Sequence, residues 1–290
     1  FELSLVIIVI SSILYNIGKL LHNISLSSEF AVDSRKDERE SDSGKMLSIP
    51  SISRIIAPLA GGVIFAGLGF AELISVTLGI LILSVIPLVL SKEHRDPMNY
   101  DFSKLLSEEY LKTVPLFIIR GIQAVSAVNI FGIFVFMVIG GSVDVGGARA
   151  LDSLGFVLTG LLVGHYAVKS RKDLFVTIGC IGSAATYFVR GFLYTPMQIF
   201  ILSFISGIFF QIYHVPIYSS FADEAEKTEI LEFYTLRKTF ISFGVLITVS
   251  TLVIFFYLFD LRTGFTANFF LAGISTLLMA LIYWKDKTLN

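Results

Sequence analysis

Three groups of polar side chains stand out because each lies inside an otherwise apolar stretch. Ser12, Tyr15, Asn16, Lys19, His22 and Asn23 follow steps of three and four residues. At about 3.6 residues per turn, that spacing puts them on one stripe of a helix. Ser203, Ser206, Gln211, His214 and Tyr218 make a comparable stripe, and Arg120 and Gln123, three apart, share a face. The chemistry open to such groups is recognition of a polar solute and exchange of a proton. Lys19 and Arg120 carry fixed positive charge, which favours an anionic or zwitterionic ligand over an organic cation. Tyr15, Asn16, Gln123 and Gln211 offer hydrogen bonds. His22 and His214, with an ordinary pKa of about 6.5, are the groups able to titrate near neutrality. Nothing points to covalent chemistry. No His-Glu-x-x-His pair or cluster of metal ligands occurs, and the single cysteine, Cys180, lies in an apolar block. Gly140-Gly141 and Gly146-Gly147 lack the Lys-Ser/Thr ending of a phosphate-binding loop. No metal, cofactor or enzymatic activity is therefore expected.

The surroundings make these groups costly, because ionisable side chains at membrane depth are expensive and usually face a cavity. Of the 290 residues, 54% are apolar and only 16% charged. Mean hydropathy is +0.80, whereas soluble domains carry about 25% charged residues. A net charge of −1 gives no electrostatic case for binding nucleic acid. The apolar residues form nine blocks, 1–28, 46–68, 70–90, 114–139, 147–168, 174–192, 196–220, 237–259 and 264–284. Each can cross the roughly 30 Å hydrocarbon layer. Runs such as Leu78–Leu90 and Ile199–Phe210 do not alternate. A backbone in lipid must satisfy its own N–H and C=O groups, so helices are expected rather than a barrel. The expected fold is an all-α polytopic transmembrane helical bundle of about nine spans, solvated by a lipid bilayer.

Lys and Arg set the orientation, since loops rich in them stay in the cytoplasm. Arg35, Lys36, Arg39 and Lys45 follow the first span, and Lys92, Arg95, Lys104 and Lys112 follow the third. Lys169, Arg171 and Lys172 follow the fifth; Lys227, Arg237 and Lys238 the seventh; Lys285 and Lys287 the ninth. The alternate links hold only Arg149, Arg190 and Arg262, with Lys19, Arg54 and Arg120 within or at the edge of spans. This predicts a multi-pass protein of the cell membrane with Phe1 outside and the C-terminus cytoplasmic. In the long link, Phe102, Leu105, Leu106, Tyr110 and Leu111 mark one face of an amphipathic helix on the inner surface. It divides the chain into 1–90, the linker 91–113 and a six-span unit, 114–290.

A repeat accompanies this layout. His22 is followed by Ser27-Ser28-Glu29-Phe30-Ala31-Val32-Asp33, and His214 by Ser219-Ser220-Phe221-Ala222-Asp223-Glu224, six spans later and on the same side. At the second span, Ser53-Arg54-Ile55-Ile56-Ala57-Pro58-Leu59-Ala60-Gly61-Gly62 resembles the fifth-helix pattern Gly-x-x-x-Gly-Pro-x-x-Gly-Gly of the major facilitator superfamily. Ser53 and Ala57 replace the leading glycines, while Pro58, Gly61 and Gly62 match. Gly164–Lys172 resembles that family's inner-loop motif Gly-x-x-x-Asp-Arg-x-Gly-Arg-Arg, with Val168 in place of the acid. The resemblance implies helices four to twelve of a twelve-helix plan: three helices of the first half and the complete second half, the first three helices being absent. It implies secondary active transport of a small solute by alternating access, with a proton as the coupling ion. The fifth-helix pattern is associated in that family with export. On that plan the fourth and tenth helices line the central cavity. Substrate then falls to Tyr15, Asn16, Lys19, Arg120, Gln123 and Gln211, and proton coupling to His22 and His214.

Other readings stay open at this level. Lys19 can snorkel to the interface, Arg120 can anchor there, and His22, His214, Gln123 and Gln211 can simply join helices. Asp152 reads as a solvated charge near a span end. A carrier-like protein that senses or assists without transporting fits the same pattern. A polytopic membrane enzyme has less support. Asp144-Val145-Gly146-Gly147-Ala148-Arg149 with Asp152 only partly resembles the head of phospholipid head-group transferases, lacking the glycine after the acid and the later Asp-x-x-x-Asp.

Overall fold

The computed structural model describes residues 2–34, 38–90, 111–166, 172–227 and 230–285. Every regular element among them is helical. In order they are α1 (Glu2–Asp33), α2 (Arg39–Ser48) and, after the 3-10 turn Pro50–Ile52, α3 (Ser53–Gly67) and α4 (Phe70–Leu90). Next comes α5, which starts as Val114–Val125 and runs through π turns Ser126–Ile130 and Val135–Ile139 on either side of Phe131–Phe134. The chain closes with α6 (Ser142–Tyr166), α7 (Lys172–Arg190), α8 (Pro196–Lys227), α9 (Ile230–Leu258) and α10 (Leu261–Lys285). Seven segments are long and apolar enough to span a bilayer: α2–α3 taken together, α4, α5, α6, α8, α9 and α10. The two remaining expected spans, α1 and α7, are helices too but fall outside that set. Helix α7 carries Lys172, Asp173, Arg190 and several Gly, Ser and Thr, which lower its apolar content. Most of the expected surface helix in the linker, residues 91–110, lies outside the described residues, as do 167–171 of the inner-loop motif.

Several helices outrun the blocks that announced them. Hydropathy marks where lipid ends, whereas a helix continues as long as protein covers its next turn. The expected start at 237 misses two buried turns of α9, in which Phe233, Tyr234 and Leu236 pack inward. At the start of α10, the Asp260 carboxylate accepts from the Thr263 hydroxyl at 2.6 Å and from the Thr263 and Arg262 amides, both at 3.1 Å. These bonds cap free helix N–H groups and hold Asp260 below the usual carboxylate range.

Helices α5 to α10 form one unit, with α8 packed on α6 and α7, α9 on α5, and α10 on α5, α7 and α9. Against it, α2 and α3 lie along α6, α1 leans on α8 and α9, and α4 packs on α3. Two aromatic clusters fill the unit. Phe117 meets Phe221 and Phe233 at 5.2 and 5.6 Å, and Phe134 meets Phe265 and Phe269 at 5.6 and 5.5 Å, all edge to face. Such pairs contribute about 0.5–1.5 kcal/mol each beyond their burial.

Glycine decides where these helices cross. Lipid gives helices little hydrophobic reason to associate, so close backbone approach matters more than in water. A Cβ on Gly121 would lie 2.9 Å from the Gly244 Cα, so α5 and α9 touch backbone to backbone. A Cβ on Gly207 would sit 2.9 Å from the carbonyl carbon of Asp152, and Gly155 brings α6 equally near α8. Gly207→Leu is therefore expected to destabilise the unit by about 3 kcal/mol, read as a lower Tm in detergent. An unchanged Tm would mean that the α6–α8 crossing yields easily. The same device places α3: a Cβ on Gly146 would be 2.8 Å from the Pro58 carbonyl. Within the fifth-helix pattern, Pro58 thus faces α6, Gly61 faces Leu73 of α4, and Gly62 is partly buried; Ser53 and Ala57 are exposed.

Candidate functional site

The polar groups of α5 and α8 converge in the middle of the six-helix unit. Arg120 Nη2 lies 2.9 Å from His214 Nε2. A guanidinium can only donate, so Nε2 accepts and the imidazole hydrogen sits on Nδ1. The Arg120 guanidinium stands 4.6 Å from the centre of the Phe210 ring. The His214 ring lies 4.9 Å from Phe210, 6.1 Å from Tyr218 and 6.3 Å from Phe156. Arg120 Nη1 and His214 Nδ1 are buried without a hydrogen-bond partner. Unpaired buried donors cost free energy, and a guanidinium with a free edge presents it to whatever oxygens arrive.

More cations surround this pair. Arg237 of α9 is enclosed by Tyr218, Phe221 and Tyr234 at 5.2, 5.2 and 5.5 Å, with its Nε unpartnered. Arg120, Arg237 and Arg54 all lie close enough to His214 to act on its charge. Lys19, Arg120 and Arg237 stand in the same relation to Lys238. Positive groups from α1, α3, α5 and α9 thus lie around α8. Lys19 and Arg54 are exposed, and Lys238 and Arg120 are partly buried.

The expected site residues divide. Arg120 and His214 are brought together, and Lys19 joins them electrostatically through Lys238. Gln123 is fully buried. Its amide donates to Thr276 Oγ1 at 3.0 Å and Met279 Sδ at 3.4 Å, its oxygen accepts from Tyr213 at 3.1 Å, and its carbonyl accepts from Tyr187 at 3.1 Å. It ties α5 to α7, α8 and α10, and both amide hydrogens are engaged. Gln211 is fully buried with neither amide atom partnered, and a Cβ on Gly160 would collide with it and with Ser48 of α2. Tyr15, Asn16 and His22 lie on the exposed face of α1. Asn16 and Asn23 donate back to the Ser12 and Lys19 carbonyls at 2.7 and 2.6 Å, and Lys19 Nζ lies 5.8 Å over the Tyr15 ring.

A second cluster, a latch of ion pairs, ties α2 to α7 and α8. Arg39 is fully buried, Nη1 donating to Asp223 at 2.7 Å and Nη2 pairing with Glu226. Its Nε donates to Ser34 Oγ at 2.9 Å, and Nη2 also reaches the Ser34 carbonyl at 3.0 Å. Burial opposes its charge, but the bonds to Glu226 and Asp223 outweigh that and raise its pKa above the ordinary value. Lys172 holds the other Asp223 oxygen at 3.2 Å. Close by, Tyr218 donates to Ser27 at 3.2 Å and its ring lies 5.4 Å from Phe30. Helices α1 and α8 therefore meet beside the latch.

Arg39, Arg237 and Lys238 carried no special signal in the sequence, because each also serves as an ordinary basic residue beside a span. A local hint existed for Arg190, three residues after Tyr187, on whose ring it stacks at 4.6 Å. No protein-family model and no curated protein matches the chain, so the reading of its function rests on its own residues.

Proposed function

We propose that the chain is a secondary carrier for a small anionic solute, built on the plan of the major facilitator superfamily. Its nine helical spans correspond to the fourth to twelfth helices of that plan, with α4 followed by the linker and then the six-helix half. The observation that carries the reading is the open-edged Arg120–His214 pair, with Arg54, Arg237 and Lys238 within electrostatic reach and Lys19 beside Lys238, taken together as the wall of a solute chamber. Packing supports it, since α1 and α8, the fourth and tenth helices of the plan, meet through Ser27 and Tyr218.

Geometry suggests a cycle. At the end holding Arg39 the latch and the Ser27–Tyr218 contact close the passage, while α1 is exposed from Ile10 to Leu21. The chamber is then open only to the side away from the latch. The distribution of Lys and Arg favours a cytoplasmic latch and C-terminus. An arriving anion competes for Arg120. Once the guanidinium turns to it, His214 Nε2 loses its donor and becomes free to take a proton, which links solute to proton. Release on the other side requires the latch to part; the Pro58-x-x-Gly61-Gly62 pattern, associated in that superfamily with export, corresponds to the same cycle run in reverse.

The test is flux in proteoliposomes containing the full chain, with a panel of small anions, zwitterions and organic cations. Anions are expected to move, faster with a proton gradient. Movement of cations alone overturns the reading, and no flux of any solute favours a sensing role.

A further inference from the structure

One half-buried carboxylate lies apart from the Arg120–His214 pair. Asp152 of α6 lines a small, partly open pocket of about 10 Å³ together with Ala127, Phe131, Arg149 and Ser203. That is room for about one water, and a water needs two or more polar partners. It lies toward the C-terminus of α7, where Arg190 sits, whereas the latch binds Lys172 at the N-terminus of α7.

Charged and titratable groups face Asp152 from three helices: Arg149 on its own helix, Arg190 and Tyr187 from α7, and Arg54 from α3. Among the described residues none of them forms an ion pair with it. The arginines are held elsewhere. Arg149 Nη1 donates across to the Ala127 carbonyl of α5 at 3.0 Å. Arg190 stands 4.3 Å from the Phe131 ring and 4.6 Å from the Tyr187 ring, and its Nη2 donates to Ser206 Oγ at 2.8 Å. Arg190 Nε and Nη1 and Ser203 Oγ are buried without partners. An acid inside a bilayer with cations in reach but none in contact has two ways to be satisfied. It holds a proton, or it draws Arg149 away from Ala127.

Those alternatives have different consequences for α5. Ala127 sits in the π turn Ser126–Ile130, a geometry that recurs at functional sites. While Arg149 donates to the Ala127 carbonyl, α6 braces that turn. Arg120 and Gln123 lie on the same helix, one to two turns away.

We propose that Asp152 is a proton-binding site, separate from the chamber, whose occupancy α5 senses through Arg149 and the Ala127 carbonyl. The proton reaches a carboxylate oxygen from the cavity water, with the Ser203 hydroxyl as relay. On its loss the charged carboxylate takes the Arg149 hydrogen bond from α5.

The site is tested without any solute, on the full chain in lipid nanodiscs, by infrared difference spectra between acid and alkaline pH. A carboxylic-acid C=O band sensitive to deuteration is expected, absent in Asp152→Asn and moved in frequency in Asp152→Glu and Ser203→Ala. In Arg149→Gln the band persists but its titration midpoint moves to higher pH, because a cation that favours the carboxylate is gone. Hydrogen exchange supplies the second readout. After correction for the intrinsic rate, amides 127–131 exchange faster at alkaline pH in the parent and show no pH effect in Asp152→Asn. A band unaffected by Asp152→Asn and Asp152→Glu, or exchange at 127–131 identical in parent and Asp152→Asn, overturns the proposal. Failure of the anion-carrier reading leaves both measurements unchanged.

Discussion

Replacing Arg120 by Gln is expected to lower kcat/KM for the transported anion by about a hundredfold, equivalent to roughly 3 kcal/mol of charge-assisted hydrogen bonding. The glutamine can still reach toward His214, but it offers neither fixed charge nor the free guanidinium edge that Nη1 presents. Arg120→Lys restores charge without the planar fork and is expected to fall between the two. His214→Gln separates the two roles of the pair. It leaves an acceptor for Arg120, so transport continues, but with His22→Gln it removes both imidazoles and flattens the pH–rate profile. Initial rates in proteoliposomes decide each case. Parent-like flux in Arg120→Gln would remove the basis for a cationic chamber, and a parent-like pH profile in the double histidine variant would dismiss both imidazoles.

Arg39→Met is expected to open the closed end. Breaking a buried ion pair costs about 3–5 kcal/mol when the partner is left charged and dry. Asp223 and Glu226 keep 37% and 21% of their side-chain surface exposed, and Lys172 still holds Asp223, which lowers the expectation to about 2 kcal/mol. That is roughly a thirtyfold shift between closed and open populations. A cysteine placed at Ser220, only 3% exposed, reports the change in a Cys180→Ala background. Its labelling by a maleimide added from the side that holds Arg39 rises by about the same factor. Unchanged labelling would make Arg39 a structural tie and not a gate.

The helices were legible because lipid imposes a one-dimensional rule, length of apolar run, that needs no knowledge of neighbours. Their ends were less so, as at α9, where Phe233 and Tyr234 are covered by protein beyond the lipid edge. Arg120 and His214 were visible as charge in an apolar run, and their hydrogen bond joins residues 94 apart. Gln123 was visible as a polar residue, but its partners come from α7, α8 and α10, and no single-helix periodicity contains them. Arg39 was hidden by distance, since its partner Asp223 lies 184 residues on. Asp152 read as a boundary charge because the hydropathy block begins at 147, whereas α6 starts at Ser142, so the half-buried acid lies about three turns into the helix.

Backbone contact at Gly121 and Gly244, and again at Gly155 and Gly207, removes the slack that side-chain packing leaves between helices. Neither pair can roll or slip along its crossing without atoms overlapping. The six helices from α5 to α10 therefore travel as one block. The seam where α1 rests on α8 and α9 carries no glycine contact of this kind among the described residues, and it is the plane along which the molecule has freedom to shear.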